Sequence, residues 1–390
     1  MPSRKNRVEA HEYLTPVAGI YLHIPFCRQA CTYCNFHFAT SLRYKNEMID
    51  ALCREMALQK EAFGTETVHT IYFGGGTPSL LPAADIVRLL EALHQHFTIA
   101  PDAEITLEAN PDDSSMTLLK SWQAAGINRL SIGIQSFFEE ELRWMNRAHS
   151  AAQAHRCIEQ IRETGFTNFS IDLIYGSPLL TDEWWKQNVD TAITYGVPHL
   201  SCYALTVEER TPLHKHIAQK KAPAVDSDTQ ARQFLLLMQW LKTAGYEHYE
   251  VSNFAKPGQR SRHNTSYWKG VPYLGLGPSA HSYNGTARMW NIANNQQYIQ
   301  SINSGSVPAE IEILTDTQKL NEYIMIALRT QEGLDLTHFE QVWGFEKVGK
   351  LEQNAARYIE NNMLLKWENR LLLSEEGMLL ADGIAAHLFF

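Results

Sequence analysis

The chain has 390 residues, of which 44% are hydrophobic and 20% are charged, a composition typical of globular proteins with a sizeable core. Asp and Glu total 43 against 34 Lys and Arg, and the resulting net charge of -9 argues against a general nucleic-acid binder. No run approaches about 18 consecutive apolar residues, and the basic N-terminal residues precede no apolar run, so we expect neither a transmembrane helix nor a secretory signal.

The cysteines fall into two groups. Cys53, Cys157 and Cys202 are scattered, without the spacing of a disulfide framework. We interpret them as small buried hydrophobic residues in a protein of a reducing compartment, and we expect a cytoplasmic location. The other three cysteines lie within eight residues of one another near the start of the chain.

Short apolar runs alternate with helical patterns along the first 245 residues. Strands are predicted at 18–25, 68–75, 103–110, 127–137, 167–176 and 198–208. Helices are predicted around 41–62, over the stripe from Ile86 to Phe97, near 115–125, up to about 164, over 182–196 and near 226–244. Six strand-then-helix units result, at intervals of roughly 30 to 40 residues, as parallel βαβ construction requires.

The six predicted strands are apolar almost throughout, which indicates burial on both faces. Six such units are compatible with an open doubly wound sheet or with a partly closed barrel, and both collect ligands at the carboxyl ends of the strands. Polar residues and glycines lie there, namely the segment 74–77, Glu108, Asn110, Gln135, Asp172 and Tyr203. We therefore expect the functional site at this edge.

The remainder of the chain has a different character. The segment 246–309 is rich in Tyr, Trp, Asn, Gly and Ser and weak in periodicity, so we predict an irregular region packed on the preceding units. Helices near 336–344 and 346–362, followed by a hairpin, indicate a small winged-helix-like α+β domain. The predicted parts are a tail, an α/β core, the irregular region and this C-terminal domain, at 1–17, 18–245, 246–309 and 310–390.

A C-x3-C-x2-C arrangement of Cys27, Cys31 and Cys34 follows the first predicted strand. A structural zinc site takes four protein ligands, often in two sets; no second set is obvious, although His23 and His37 are candidates for a fourth ligand. A dithiol redox pair would leave Cys27 surplus. A four-iron cubane held by three cysteines leaves one iron open, and a small molecule with an amino and a carboxylate group suits that position.

This cysteine spacing after the first of six βα units, with Tyr33 just before the last cysteine, resembles the radical S-adenosylmethionine (SAM) superfamily. The resemblance implies a partial (β/α)6 barrel, a [4Fe–4S] cluster on the three cysteines, and SAM bound to the open iron. The segment GGGTPS at 74–79 resembles the family's segment that holds the methionine amino group.

Six segments in this order, YLHIPFC, GGGTPS, EANP, RLSIGIQSF, DLIYG and YEVSNFAKPG, resemble the oxygen-independent coproporphyrinogen III oxidases and their relatives. The resemblance runs from about residue 18 to the C-terminus and assigns no catalytic residue. It implies that a set of residues contacts SAM or lines its cavity: Tyr21, Tyr33, Gly75, Gly76, Thr77, Glu108, Gln135, Arg147 and Asp172. In that site the guanidinium of Arg147 is suited to bidentate pairing with a ligand carboxylate.

Two features depart from the oxidase pattern: Phe36 stands where the oxidase has a fourth cysteine, and only 26 residues precede the cluster motif. Both are shared with a sister group, the HemW-type haem chaperones, whose H-N-x-x-Y-W motif matches residues 263–268. The resemblance makes His263 a candidate axial haem ligand beside the flat faces of Tyr267 and Trp268. The alternative is an aromatic loop packed on the barrel, with His263 bonded to backbone.

The function implied by this resemblance is that of a radical SAM protein that binds haem and delivers it to an acceptor haemoprotein, with SAM cleavage in a supporting part. The alternative is conversion of coproporphyrinogen III to protoporphyrinogen IX, which the two departures argue against. The implied partners are haem or a porphyrin, a haem-acceptor protein and an electron donor such as a flavodoxin.

Overall fold

Six parallel strands form the centre of a 12-stranded sheet in a computed structural model that describes residues 19–61 and 66–390. They lie in chain order along the sheet, because a helical crossover returns the chain to the start of each next strand. These strands are β1 (Gly19–Ile24), β2 (Thr67–Gly75), β3 (Thr98–Ala109), β4 (Arg129–Gln135), β5 (Phe169–Tyr175) and β6 (His199–Ala204). The predicted tail, 1–17, lies outside the described residues.

Helices form the connections that follow these strands. They are α1 (Lys45–Gln59), α2 (Ala83–His96), α3 (Met116–Ala125), α4 (Glu139–Trp144), α5 (Ala151–Glu163), α6 (Asp182–Thr194), α7 (Pro212–Ala218) and α8 (Ser227–Thr243). Ile20 and Leu22 of β1 belong to the same fully buried core as Met48 and Leu52 of α1, so apolar side chains of strand and helix exclude water together. The predicted α/β class with six βα units is confirmed.

Three local features of this core differ from the predictions. The single helix expected up to about 164 is two helices, because Asn146 adopts a positive φ of 56° and Ser150 begins α5 with a capping box. Phe97 follows the end of α2 in an extended conformation. The loop after β6 contains α7, whose seven residues are too few to show a helical period.

The region 246–309 was wrongly predicted to be irregular. It contains short strands and two helices: β7 (Glu247–Glu250), β8 (Asn253–Ala255), α9 (Arg262–Trp268), β9 (Tyr273–Leu276), β10 (His281–Tyr283), β11 (Ala287–Asn291), α10 (Asn295–Asn303) and β12 (Ala309–Ile313). The prediction failed because strands of three to five residues are too short to show a period.

These added strands extend both edges of the six-stranded core. β8 pairs antiparallel with β6 at one edge, and β9 pairs parallel with β1 at the other, followed by β10, β11 and β12. Within the described ranges, no pairing joins β12 to β7, so the sheet stays an open, partial barrel. The face of the barrel interior therefore continues beyond β1 onto β9, β10 and β11.

A separate hydrophobic core organises the C-terminal part around residues such as Phe339 and Leu351. Its elements are α11 (Asp316–Leu328), β13 (Leu334–Asp335), α12 (Leu336–Trp343), α13 (Phe345–Glu360), β14 (Leu364–Trp367), β15 (Arg370–Leu373), α14 (Glu375–Met378) and α15 (Ala381–His387). β14 and β15 form the predicted hairpin, while the predicted boundary at 310 falls inside β12. Nowhere in the described chain is a helix both long and apolar enough to span a bilayer.

Candidate functional site

A cavity of about 440 Å³ opens at the carboxyl ends of the parallel strands, a size suited to a small cofactor. Its position is the one expected for this kind of sheet, because the loops that follow the strands all meet there. Eleven of the residues singled out from the sequence line it: Cys27, Cys31, Tyr33, Cys34, Gly75, Gly76, Thr77, Glu108, Gln135, Arg147 and Asp172.

The cysteine-bearing loop is held at the mouth of this cavity by backbone hydrogen bonds. The amide of Cys27 donates to the carbonyl of Ala39 at 3.0 Å, and the amide of Thr32 donates to the carbonyl of Met145 at 3.0 Å. Polar side chains also reach two thiols: the Thr77 hydroxyl lies 3.5 Å from the Cys27 sulfur, and Nη1 of Arg147 lies 3.3 Å from the Cys31 sulfur. These hydrogen bonds fix the position of the loop that carries the three cysteines.

The donor set suits an iron–sulfur cluster better than a single ion. All three cysteines are half-buried free thiols. Across residues 19–61 and 66–390, no three His, Cys, Asp or Glu side chains converge on a point where one metal ion would sit. A four-iron cluster does not require such convergence, because each thiolate binds a different iron. Burial raises the pKa of the Cys27 thiol to about 11, so its thiolate needs the positive charge that iron supplies.

The glycine segment at the end of β2 packs tightly against β1 and the residues just before the cysteine loop. Gly75 has a φ of 104°, and a Cβ there would lie 2.5 Å from Nδ1 of His23. A Cβ on Gly76 would lie 2.5 Å from the carbonyl oxygen of Phe26. These two glycines are therefore required by close approach of the protein's own chain, in addition to any approach of a ligand.

Glu108, the penultimate residue of β3, lines the cavity. It accepts a hydrogen bond from the hydroxyl of Tyr72 at 2.7 Å and another from the amide of Gly75 at 3.2 Å. Burial, reinforced by the negative charge of Asp172, raises the pKa of Glu108 to about 7, and burial raises the pKa of Asp172 to about 6. Both carboxyl groups favour a positively charged ligand, since such a ligand would stabilise their ionised forms.

Arg147 carries a buried cation in the same wall. Its Nη2 donates to the side-chain oxygen of Asn110 at 2.6 Å and to the carbonyl of Gly133 at 2.7 Å. Its Nε is buried without a hydrogen-bond partner among the described residues. Gln135, nearby at the end of β4, has a φ of 65°, a strained conformation of the kind that clusters at functional sites.

Tyr21, which is predicted to contact SAM, adjoins this cavity without forming part of its lining. Its ring stacks on Tyr72 with the centroids 6.0 Å apart, and its hydroxyl lies 3.4 Å from Nδ1 of His23. A Cβ added to Gly74 would lie 2.9 Å from the Tyr21 ring and 3.1 Å from Oε1 of Glu108. Tyr21 therefore lies on the interior face of the strands, on the same side as Glu108.

The cavity lining also includes residues outside the predicted SAM contacts. Asn110 and Tyr203, which the sequence placed at the functional edge without a role, line the cavity, and Phe38 and Glu208 from neighbouring loops were not predicted. The signal for Asn110 and Tyr203 was present in the sequence as polar residues after apolar strands, whereas loop residues carry no comparable pattern. Phe36, the position that separates this chain from the oxidase pattern, lies at the same cavity and is 68% exposed.

His263 lies away from the cavity wall, in α9. Its side chain is 1% exposed, its Nδ1 lies 2.8 Å from the hydroxyl of Thr70, and its Nε2 lies 2.7 Å from the hydroxyl of Tyr267. The ring also stacks on Tyr72 at 5.0 Å. Ligation of iron by His263 would therefore require one of two hydrogen bonds to break. This arrangement agrees with the alternative that the segment 263–268 packs on the barrel. It differs from that alternative in two respects: the segment is a helix, and His263 is hydrogen-bonded to side chains and not to backbone.

Comparisons with known proteins identify the family. The Radical SAM superfamily profile matches residues 21–192, and the HemN C-terminal domain profile matches residues 314–380. The chain is 36% identical over 372 residues to "Heme chaperone HemW" of Mycobacterium tuberculosis, covering 94% of this chain and 93% of the relative. It is 35% identical over 345 residues to "Heme chaperone HemW" of Synechocystis sp., covering 86% and 83%.

A solved structure, coproporphyrinogen III oxidase (HemN) from Escherichia coli, superposes with a TM-score of 0.83 and 25% identity, covering 97% of this chain and 91% of the oxidase. The shared fold confirms the predicted barrel with its small C-terminal domain. Membership of the superfamily implies a [4Fe–4S] cluster and SAM, which the three thiols and the polar cavity fit. The chain therefore belongs to the radical SAM superfamily, to the subfamily that contains the coproporphyrinogen III oxidase HemN and the HemW proteins.

Proposed function

We propose that this protein is a haem chaperone, which binds haem and passes it to an acceptor haemoprotein. The similarity to proteins named "Heme chaperone HemW", at 36% identity over 94% of the chain, carries the proposal. Phe36 supports it, because an exposed phenylalanine at the cavity cannot replace the fourth cysteine of the oxidase pattern. The acceptor protein and a flavodoxin-type electron donor are the proposed partners, in the cytoplasm, where thiols stay reduced.

The proposed cofactor site has defined parts. Cys27, Cys31 and Cys34 would hold the cluster, and SAM would occupy the adjoining cavity. When bound, the two together supply one-electron cleavage of the SAM sulfonium. We propose that the guanidinium of Arg147, which lines the cavity, pairs with a ligand carboxylate, and that Glu108 accepts from a hydroxyl group or faces a cation.

The remaining cavity residues complete this wall. Tyr33 and Thr77 flank the cysteines, while Gln135 and Asp172 close the side formed by β4 and β5. Gly75 and Gly76 bring the backbone close to the same space. We propose these residues as SAM contacts, together with Tyr21 on the same interior face.

The cluster assignment is tested by replacing one thiol. Cys31→Ser is expected to abolish the broad absorption near 400 nm and to lower bound iron to a small fraction of about four atoms per chain after anaerobic reconstitution. Cys53→Ser is the matched control, because Cys53 is a half-buried cysteine away from the cavity. Full iron content in Cys31→Ser would contradict the assignment.

The haem proposal is tested by titrating haem into the anaerobically reconstituted protein, with binding near one equivalent expected. The haem contacts predicted at His263, Tyr267 and Trp268 belong to this proposal. His263→Ala is expected to weaken binding, and unchanged binding would remove His263 from the site.

Tyr267→Phe tests how His263 contributes to haem binding. This change removes the Tyr267 hydroxyl that is hydrogen-bonded to Nε2 of His263 and keeps the aromatic ring. If His263 ligates the iron, the freed nitrogen maintains or strengthens haem binding. If His263 acts by holding Tyr267 in place, binding weakens in both variants.

Oxidation of coproporphyrinogen III is the second candidate function, favoured by the structural match to the Escherichia coli oxidase. It is tested on the same anaerobic preparation, with SAM and a reductant. We expect SAM cleavage without formation of protoporphyrinogen IX. Appearance of that product at a rate matching SAM cleavage would instead establish the oxidase.

A further inference from the structure

A half-exposed aromatic surface lies where the barrel interior continues beyond β1. Register places its side chains on one face: Tyr273 pairs with Tyr283, Tyr283 with Arg288, and His281 with Trp290. We call these five residues the β9–β11 wall. β9 pairs in parallel with β1, which sets Tyr273 opposite Gly19 and Gly275 opposite Tyr21. The wall therefore adjoins the interior face of the barrel.

His281 is the exposed imidazole of this wall. In the part of the chain that the structure describes, neither ring nitrogen of His281 has a hydrogen-bond partner, whereas both nitrogens of His263 are engaged. The indole of Trp290 stacks beside the imidazole, with centroids 6.3 Å apart and planes 29° apart. Partial burial, with the positive charge of Arg288, lowers the pKa of His281, so the imidazole is neutral and carries a free lone pair at neutral pH.

The backbone holds His281 in place. Gly275 lies directly under the carbonyl group of His281, and a Cβ at this position would collide with that carbonyl. The Gly275 amide also donates to the hydroxyl of Ser282 at 2.9 Å. β10 therefore folds closely over β9, and the imidazole is presented from a fixed strand.

The wall is connected to the cofactor cavity and to α9. Burial lowers the pKa of His23, and a proton on His281 would lower it further, so the two imidazoles lie near one another; the His23 ring packs against Gly75 in the cavity wall. On the other side, Tyr267 of α9 makes an edge-to-face contact with Tyr273 at 4.6 Å. The hydrogen bond between His263 and Tyr267 thus supports the wall from behind.

We propose that the β9–β11 wall seats the haem, with His281 as an axial ligand of the iron. Trp290 and Tyr283 offer apolar faces to the macrocycle, and neutral imidazole is a common haem ligand. Arg288 pairs with Glu322 at 2.9 Å and keeps further N–H donors for a propionate carboxylate. This inference rests on the proposed haem-binding function and assigns His263 a positioning role.

The test compares variants of the full-length, cluster-reconstituted protein in haem titrations. His281→Ala is expected to weaken haem binding about tenfold or more, since tenfold corresponds to about 1.4 kcal/mol, and to lose the imidazole-ligated spectrum. His281→Cys is expected to replace that spectrum with one of thiolate-ligated iron, a change that a structural role of His281 would not produce. His94→Ala is the control, because His94 is an exposed histidine of α2 outside the wall.

The outcomes separate the two proposals. Haem binding by the wild type with unchanged affinity and spectrum in both His281 variants would overturn the wall assignment and leave the chaperone proposal standing. Absence of haem binding by the wild type would overturn both. Arg288→Gln adds an independent check. This variant should bind haem several-fold more weakly, but its affinity for haem dimethyl ester, which lacks the propionate charges, should equal that of the wild type. An equal loss of affinity for both ligands would show that Arg288 does not bind the propionates.

Discussion

Glu108 shows how one residue's surroundings set its chemistry. Its pKa of about 7 lies above the usual 4.5 because the carboxyl group is buried beside Asp172. The folded state therefore favours the protonated form, and the stability contributed by Glu108 falls as pH rises from about 4.5 to about 7. A cationic ligand reverses this preference, since it stabilises the carboxylate and releases a proton on binding.

The resulting prediction concerns the pH dependence of SAM binding. The affinity of the cluster-loaded protein for SAM should rise between about pH 6 and pH 8, and Glu108→Gln should bind more weakly, by about tenfold, with a flatter pH profile. Calorimetric titration across this range measures both effects. Glu163→Gln, at an exposed glutamate of α5, should behave as the wild type. If the SAM affinity of Glu108→Gln rises with pH as steeply as that of the wild type, the titrating group is not Glu108.

At the scale of elements, one buried carboxylate connects α1 to the strands that extend the barrel. Glu55 accepts hydrogen bonds from the amide of Gly277 at 2.7 Å, the side chain of Asn291 at 2.7 Å and the hydroxyl of Tyr298 at 2.5 Å. It is fully buried and fully satisfied by these donors. The contacts link α1 to β11 and α10, and so help to position the β9–β11 wall.

Glu55→Ala should therefore lower the free energy of unfolding by about 3 kcal/mol, because it leaves several buried donors without an acceptor. Glu55→Gln keeps one acceptor oxygen and should cost less. Denaturant unfolding measures the difference, with Glu47→Ala, at an exposed site of the same helix, as a control near zero. A loss below about 1 kcal/mol in Glu55→Ala would show that water replaces the carboxylate.

At the scale of the whole molecule, the barrel and the C-terminal part have separate hydrophobic cores that meet at a few shared side chains. Val251 and Met378 pack against both cores. The C-terminal core contributes no residue to the cofactor cavity, whose described lining ends at Glu208 in the sequence. Damage to that core should therefore affect stability more than cofactor binding.

Phe339→Ala tests this separation. Phe339 is fully buried, so its truncation should destabilise the C-terminal part by about 3 to 5 kcal/mol. The dissociation constant for SAM should stay within about twofold of the wild type below the unfolding transition. Differential scanning calorimetry and SAM titration on one preparation measure both quantities. A large loss of SAM affinity in the folded variant would show that the two cores are coupled.

The sequence by itself determined the six βα units, because long apolar strands and amphipathic helices leave strong periodic patterns. It also determined the cysteine loop and most of the cavity wall, since the carboxyl ends of parallel strands must meet at one edge. Those inferences depend on local sequence pattern and on the order of the elements, and both can be read directly from the sequence.

Only the tertiary structure decided the rest. The short strands β7 to β12 show no period and form by pairing with distant edges of the barrel. Burial separates residues of one type: His263 is enclosed with both nitrogens bonded, whereas His281 stands exposed beside Trp290. Tyr21 lies on the interior face of the barrel, stacked on Tyr72 of the neighbouring strand and on the same side as Glu108. Which side chain is free to bind depends on its neighbours in space, and these come from segments far apart in the chain.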